Sequence, residues 1–243
     1  MSHIYKLIGC EILFREMCLC ASKSINIIDF QFMPKGLHDM GKEKMAAKLQ
    51  EEINKVDENK YEAILICYGL CNYGIAGLHS KIPLVIPRAH DCITLLMGSK
   101  EKYSEYFNNN PGTYFKSTGW IERNTSPNED ENSITTQLGM NINFDEYDEE
   151  TVEYLKETLG NWVKNYSKYT YIDTGMGSFP LYEELTAEEA KNRNWTYERI
   201  TGDICLIQDL MDGNWDSDKF LFVPPLNKIT VTYGDDIISY ESL

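Results

Sequence analysis

No stretch of this sequence approaches the roughly 18 consecutive apolar residues of a membrane-spanning helix, and no basic amphipathic segment would let it lie on a bilayer. Positive charge is in short supply. The 23 Lys and Arg face 38 Asp and Glu, and a formal charge of −15 repels a phosphate backbone instead of releasing its counterions, so nucleic acid is not an expected partner. Neither a Walker nor a dinucleotide fingerprint occurs. Gly69, Gly74 and Gly77, and the run Asp173-Thr-Gly175-Met-Gly177, follow strand-like segments but match neither pattern, and turn formation accounts for them. There is no detectable internal repeat, and because MSHIYKLIGC leads straight into a strand-like segment, no secretory leader is expected. Seven cysteines is an odd number for a disulfide framework. A chain of 243 residues buries about 70% of its surface on folding without cross-links, so the thiols are expected free in a reducing cytoplasm.

What the sequence does have is a regular alternation of apolar runs and amphipathic segments. Residues 5–10 read as a buried strand, 11–22 as a helix, and SINIIDFQF as a second strand; 39–56 read as a helix with Met40, Met45, Ala46, Leu49 and Ile53 on one face. YEAILIC is almost continuously apolar, as a parallel strand covered on both faces should be, and PLVIP is a fourth strand. Such alternation implies right-handed β-α-β units. Residues 103–110 follow as a helix stopped by Pro111-Gly112, with GTYFKSTGW as an edge strand. From 122 to 148 the chain is polar, acidic and without periodicity, which reads as a linker or insertion whose charge forms a solvated face. A second alternation then places helices at 149–166, 187–194 and 203–212, and strands at KYTYIDTG, WTYERI and FLFVPP, with KITVTYG at an edge. The expected fold class is α/β: Rossmann-like parallel sheets in two lobes facing across a cleft, residues 1–121 carrying the functional site and 149–243 the second lobe. One continuous mixed sheet flanked by helices is the alternative.

Four cysteines stand where strand-like runs end: Cys10 after YKLIG, Cys67 and Cys71 in ILICYGLC, and Cys92 after PLVIPRAHD. The carboxyl ends of parallel strands form the ligand crevice of open α/β sheets, so three separated segments deliver four sulfurs to one edge. The Cys67–Cys71 spacing falls within the range common in zinc sites. A helix starting near Leu70 would put Cys71 in its first turn, where the positive end of the dipole lowers a thiol pKa. Arg88-Ala-His90-Asp91-Cys92 adds a cation and an imidazole at the same edge, and Glu11 sits one helical turn from Arg15. Soft sulfur donors suit zinc or a [4Fe-4S] cluster and argue against magnesium or calcium. Cys18, Cys20 and Cys205 lie inside helical patterns and are expected in the core, His3 and His79 on the surface, and His38 in a supporting position. A metal-free alternative keeps Cys92 as a thiolate nucleophile with His90 or His38 as base and Arg88 as an oxyanion binder.

The strings GCEILFREM, ILICYGLCNYGIAGL, PLVIPRAHDCITLLMGS, PGTYFKSTGW, YIDTG, GDICLIQDLMDGNW and FLFVPP together resemble the domain of unknown function 1638 family of anaerobic bacteria and methanogenic archaea, over nearly the entire chain. The resemblance implies that Cys10, Glu11, Cys67, Cys71, Arg88, His90 and Cys92 belong to a shared pattern. It also implies an association with corrinoid-dependent one-carbon metabolism, and it implies no activity. Two departures stand out: the acidic 122–148 segment is long for the family, and Leu226 follows two prolines where the pattern has glycine. The expected function is therefore a cytoplasmic metalloenzyme of anaerobic metabolism. In it Cys10, Cys67, Cys71 and Cys92 hold zinc or an iron-sulfur cluster, Glu11, Arg88 and His90 serve catalysis, and the partner is a small-molecule substrate or a corrinoid-pathway protein. A metallochaperone or accessory protein is the non-catalytic alternative, marked by sulfurs open on a surface instead of enclosed.

Overall fold

The computed structural model describes residues 2–123, 148, 150–155, 164–176 and 180–243. Most of the expected acidic segment, 124–147, and much of the helix expected at 149–166 lie outside the described residues. Among the described residues no helix is long and apolar enough to cross a membrane.

The fold is α/β, as the alternation of periods implies. In the first unit, residues 1–104 and 202–243, strands β1 (Ile4–Cys10), β2 (Ile27–Met33), β3 (Ala63–Cys67) and β4 (Leu84–Pro87) run parallel. A 3-10 turn, Glu11–Leu13, leads from β1 into helix α1 (Phe14–Lys23), and α2 (Lys42–Asn54) joins β2 to β3. All five residues of β3 are buried, which is what its unbroken apolar sequence requires of a strand covered on both faces. Helix α3 (Cys92–Met97) follows β4, and α4 (Lys100–Asn109) leads into the second unit, residues 105–201.

That second unit is built on a separate three-stranded parallel sheet of order β5-β6-β7, with β5 (Thr113–Ser117) and β7 (Thr196–Thr201) at its edges and β6 (Lys168–Asp173) between them. A short helix α5 (Thr118–Glu122) continues from β5, and α6 (Pro180–Asn192) packs on β6 and β7. Its core is aromatic. Tyr169 is buried against Trp195, with ring centroids 4.7 Å apart, and meets Tyr114 edge-on.

The chain then returns. Helix α7 (Cys205–Asp212) packs on α1, β3 and β4, and β8 (Phe220–Val223) adds antiparallel to β4, giving the first sheet the order β2-β1-β3-β4-β8. Strands β9 (Asn227–Val231) and β10 (Ile238–Ser242) form an antiparallel hairpin. The units thus differ from the expected 1–121 and 149–243. Residues 202–243 read as part of a second alternation, yet their apolar faces close the first sheet. The expected alternative of one continuous sheet gives way, among the described residues, to three separate sheets, of which the five-stranded one is itself mixed because β8 is antiparallel.

Candidate functional site at the carboxyl edge of the first sheet

Strand order decides where the first sheet can open. From β1 the chain moves outward to β2, then crosses back to place β3 on the opposite side of β1. Connections leaving two adjacent strands for opposite faces create a crevice at their carboxyl ends, where ligands of open α/β folds bind. The last residues of these two strands are Cys10 and Cys67.

The two sulfurs do not share a face. Gly9 pairs in register with Cys67, and a Cβ placed on Gly9 would fall 2.6 Å from Met17 Sδ and 3.1 Å from Cys67 Cβ, so both residues belong to the α1 side. There Cys67 is fully buried, in electrostatic reach of Cys20 and the buried Glu16 of α1. Cys10, one residue beyond Gly9, turns to the other face by the alternation of a strand and stands beside Tyr68, the residue after Cys67. Burial is the dominant influence on all of these thiols. It pushes Cys10 up to about 11 and Cys20 up to about 12, and Cys67 well above the usual thiol value.

The segment after β3 differs from the expected helix. Leu70 N–H donates to Ala89 O at 2.8 Å and Cys71 N–H to His90 O at 3.0 Å, extending the β3–β4 pairing past the strand ends. Gly69 makes this close approach feasible, because a Cβ there would lie 2.6 Å from Asp91 main-chain atoms. Cys71, Asn72 and Tyr73 then adopt φ of 43°, 55° and 66°, three consecutive non-glycine residues in the left-handed region. Such residues cost about 1–2 kcal/mol each, and strain of this kind gathers at functional sites. Without a right-handed helix there is no dipole to acidify Cys71. Its thiol is instead raised, by burial first and then by the neighbouring Asp91 carboxylate and Cys10.

Asp91 was not foreseen as a site residue. It caps α3, with Oδ1 accepting from Ile93 N–H at 3.0 Å and Thr94 N–H at 3.2 Å, while Oδ2 accepts from the Tyr103 hydroxyl at 3.0 Å. Desolvation nevertheless raises its carboxyl above the ordinary value, against those three bonds and the His90 ring. The cap was legible: an aspartate before CITLLM and a glycine after it, at left-handed Gly98, is the start and stop signature of a short helix. Tyr68 had no such signal, since nothing in ICYGLC separates it from a packing aromatic. It is 4% exposed, its hydroxyl interacts with the Cys10 thiol, and it lies in electrostatic reach of Cys71 and Cys67.

The remaining expected residues are distributed as follows. Cys92 is half-buried at the first position of α3, and His90 is exposed in the loop before it. Glu11 Oε1 accepts from Lys35 N–H at 2.8 Å, tying the end of β1 to the segment after β2. Arg88, expected to receive an anionic group, holds the C-terminal segment: Nε donates to Ser217 O at 2.8 Å, and Nη1 to Asp236 O at 2.8 Å and Ile238 O at 2.5 Å. Cys20 is in the core as expected, whereas Cys18 and Cys205 are only half-buried; Cys205 Sγ donates to Gly98 O at 3.3 Å. His3 is bonded to Glu62 at the surface and His79 to Gly77 O, while the side chain of His38 lies outside the described residues. Among the described residues no group of three or more His, Cys, Asp or Glu side chains stands at metal-binding separation.

A family model described as "Protein of unknown function (DUF1638)" matches residues 32–211. No curated protein and no solved structure matches the chain.

Proposed function

The chain belongs to the DUF1638 family, whose description carries no activity, and we propose from the geometry that the crevice between β1 and β3 is a thiolate site for a soft metal centre, the resident cofactor of an enzyme. The observation that carries this reading is that Cys71 lies in electrostatic reach of both Cys10 and Asp91, near buried Tyr68, where the order of the strands opens the sheet. Cys10 and Cys71 are the principal ligands in this reading. Cys92, at the start of α3, or His90, in the loop before it, would supply a further donor, and Cys67 is a packing thiol of the α1 face. Because no three donors among the described residues stand at metal-binding separation, the sulfurs would have to draw together to hold a metal, and the left-handed Cys71–Tyr73 turn is the segment whose strain such a rearrangement would relieve.

Zinc and a [4Fe-4S] cluster both accept this donor set. Thiolate-held zinc supplies a Lewis acid that activates a thiol substrate for methyl transfer, and a cluster with an open iron supplies a substrate-binding site. The enclosure of Cys10, with 6% of its surface exposed, supports a resident centre over a metallochaperone, which needs open sulfurs. His90 and Glu11 are the groups placed to move protons at the rim, and Arg88 acts structurally.

The test is anaerobic purification with metal analysis and an absorption spectrum, applied to wild type, Cys10→Ser, Cys71→Ser and Cys67→Ser. Broad absorption near about 400 nm selects the cluster, and stoichiometric colourless zinc the alternative. Metal lost from the first two variants and kept in Cys67→Ser is the expected pattern. Wild type without bound metal ends the proposal.

A further inference from the structure

The outer edge of β2 is an open strand. Among the described residues β2 pairs with β1 and with no other strand, so it stands at one end of the five-stranded sheet. Ile27 N–H donates to His3 O at 2.8 Å, which fixes the direction of every main-chain group along the strand. Ile27, Asp29, Gln31 and Met33 turn theirs to β1, and Ile28, Phe30 and Phe32 turn theirs outward. Side chains stand in at two of the outward carbonyls: Lys6 Nζ donates to Phe30 O at 3.1 Å and Gln31 Nε2 to Phe32 O at 3.4 Å. The outward N–H groups meet no acceptor among the described residues. Devices that blunt an edge are missing from the strand itself: its register with β1 runs unbroken over seven pairs, and IIDFQFM holds neither proline nor lysine. Such an edge is a template for a further strand.

Independently of the metal reading, we infer that β2 pairs antiparallel with β2 of a second copy of this chain, about a two-fold axis at Phe30, joining two five-stranded sheets into one. The strand is complementary to itself in this register. Phe30 faces its own counterpart and Ile28 faces Phe32 of the second copy, so each outward N–H meets an outward C=O and main-chain donors replace the Lys6 and Gln31 side chains. Ile28, Phe30 and Phe32 share the α1 face. There Phe32 lies 4.9 Å from Phe14, which is 39% exposed, and stacks on Phe30 at 5.1 Å; the seam continues this aromatic row into the second copy. On the opposite face Asp29, the only charged side chain of the strand, meets Gln31 of the second copy. Its charge is already answered by Lys60 Nζ at 2.6 Å and the Tyr61 hydroxyl at 2.8 Å. The neighbouring registers are worse. A slip of two residues one way opposes Asp29 to Asp29, and the other way opposes Ile28 to Pro34, which has no N–H to donate.

The experiment measures the dimer dissociation constant of the full chain by sedimentation equilibrium for wild type, Gln31→Glu, Gln31→Lys and Phe30→Pro. Wild type is expected to dimerise. Gln31→Glu sets a carboxylate against Asp29 twice per dimer and should raise the constant about 2- to 30-fold, whereas Gln31→Lys should lower it by a similar factor. Both effects should shrink as salt is added. Phe30→Pro removes the central outward N–H while sparing every bond to β1, and should be monomeric. Hydrogen exchange supplies the backbone readout: the amides of Ile28, Phe30 and Phe32 should be protected in the wild-type dimer and exchange freely on dilution to monomer. If Phe30→Pro does not fold, the two Gln31 variants and the exchange pattern decide alone. A wild type that is monomeric at about 100 μM overturns the inference. So does a dimer that is indifferent to both Gln31 changes, or one whose three amides stay unprotected, since its interface then lies elsewhere. A wild type whose β2 edge carries a strand of another polypeptide overturns the second copy as its occupant.

Discussion

Arg88 illustrates how a charged residue beside a candidate site can belong to the scaffold instead. Its side chain is 12% exposed, and its guanidinium serves three carbonyl oxygens of a segment more than a hundred residues away in sequence, with the Asp236 carboxylate at 3.9 Å. Hydrogen bonds to a charged donor contribute about 1.5–3 kcal/mol each when buried, and less where solvent competes, as it does at Ser217 and Asp236. Arg88→Ala is therefore expected to cost about 2–4 kcal/mol in urea unfolding, while metal content per folded molecule is retained. Loss of metal with stability intact would return Arg88 to the site. Leu226 makes the complementary point. The glycine implied at this position by resemblance corresponds to a φ of 62°, so the leucine, 66% exposed, occupies a conformation that glycine adopts without strain.

Among the elements, those with strong periods were legible and those shaped by neighbouring chain were not. β3 and α2 follow from an unbroken apolar run and a helical stripe, and both were read close to their bounds. The left-handed turn at Cys71–Tyr73 escaped because a CxxxC spacing suits a helix equally well; what forbids the helix is the bonding of Leu70 and Cys71 to the β4 loop, a contact that no local pattern announces. The four-sulfur edge was legible only in part for a similar reason. Strand ends can be read from sequence, but register decides which face each end presents, and register sets Cys67 on the α1 side. Helix α3 carries the pH-dependent prediction. Because the folded carboxyl of Asp91 titrates above its unfolded value, the native state binds the proton more tightly. Its contribution to stability is therefore full below the unfolded pKa and is lost as pH rises through the folded one. Asp91→Asn keeps the cap to Ile93 and Thr94 and cannot titrate, so the stability of wild type relative to Asp91→Asn should decline as pH rises across that window, then level off. Asp91→Ala should cost about 1 kcal/mol at every pH through loss of the cap. Urea unfolding at a series of pH values checks both; a wild-type advantage that grows with pH would show that the capping N–H groups outweigh desolvation.

The path of the chain itself yields the broadest prediction. Residues 105–201 form their own compact unit on their own sheet, and the chain resumes the first unit beside the place it left. Asp203 N–H donates to Leu96 O at 2.8 Å, Lys102 pairs with Asp203 at 3.3 Å, and Cys205 bonds to Gly98 O, so the exit through α4 and the re-entry into α7 are pinned together within one unit. This is the geometry of an insertion, which folded hosts tolerate because the closed ends add little loop entropy. Sequence could not reveal it, since both units are α/β and their periods run on in phase. A chain joining residues 1–104 to 202–243 through a short Gly-Ser linker retains all five strands of the first sheet, the Arg88 carbonyls and every thiol named in the crevice. It is expected to unfold cooperatively and to bind the same equivalents of metal as the full chain. Deleting 202–243 instead strips β8 from β4 and α7 from α1, exposing buried Leu206, Ile207 and Leu210 partners, and should abolish cooperative unfolding of the first unit. Calorimetry on the two chains separates the outcomes: a joined chain with no transition would mean that the first unit depends on the insert for its stability, and metal lost from a joined chain that folds would place a ligand between residues 105 and 201.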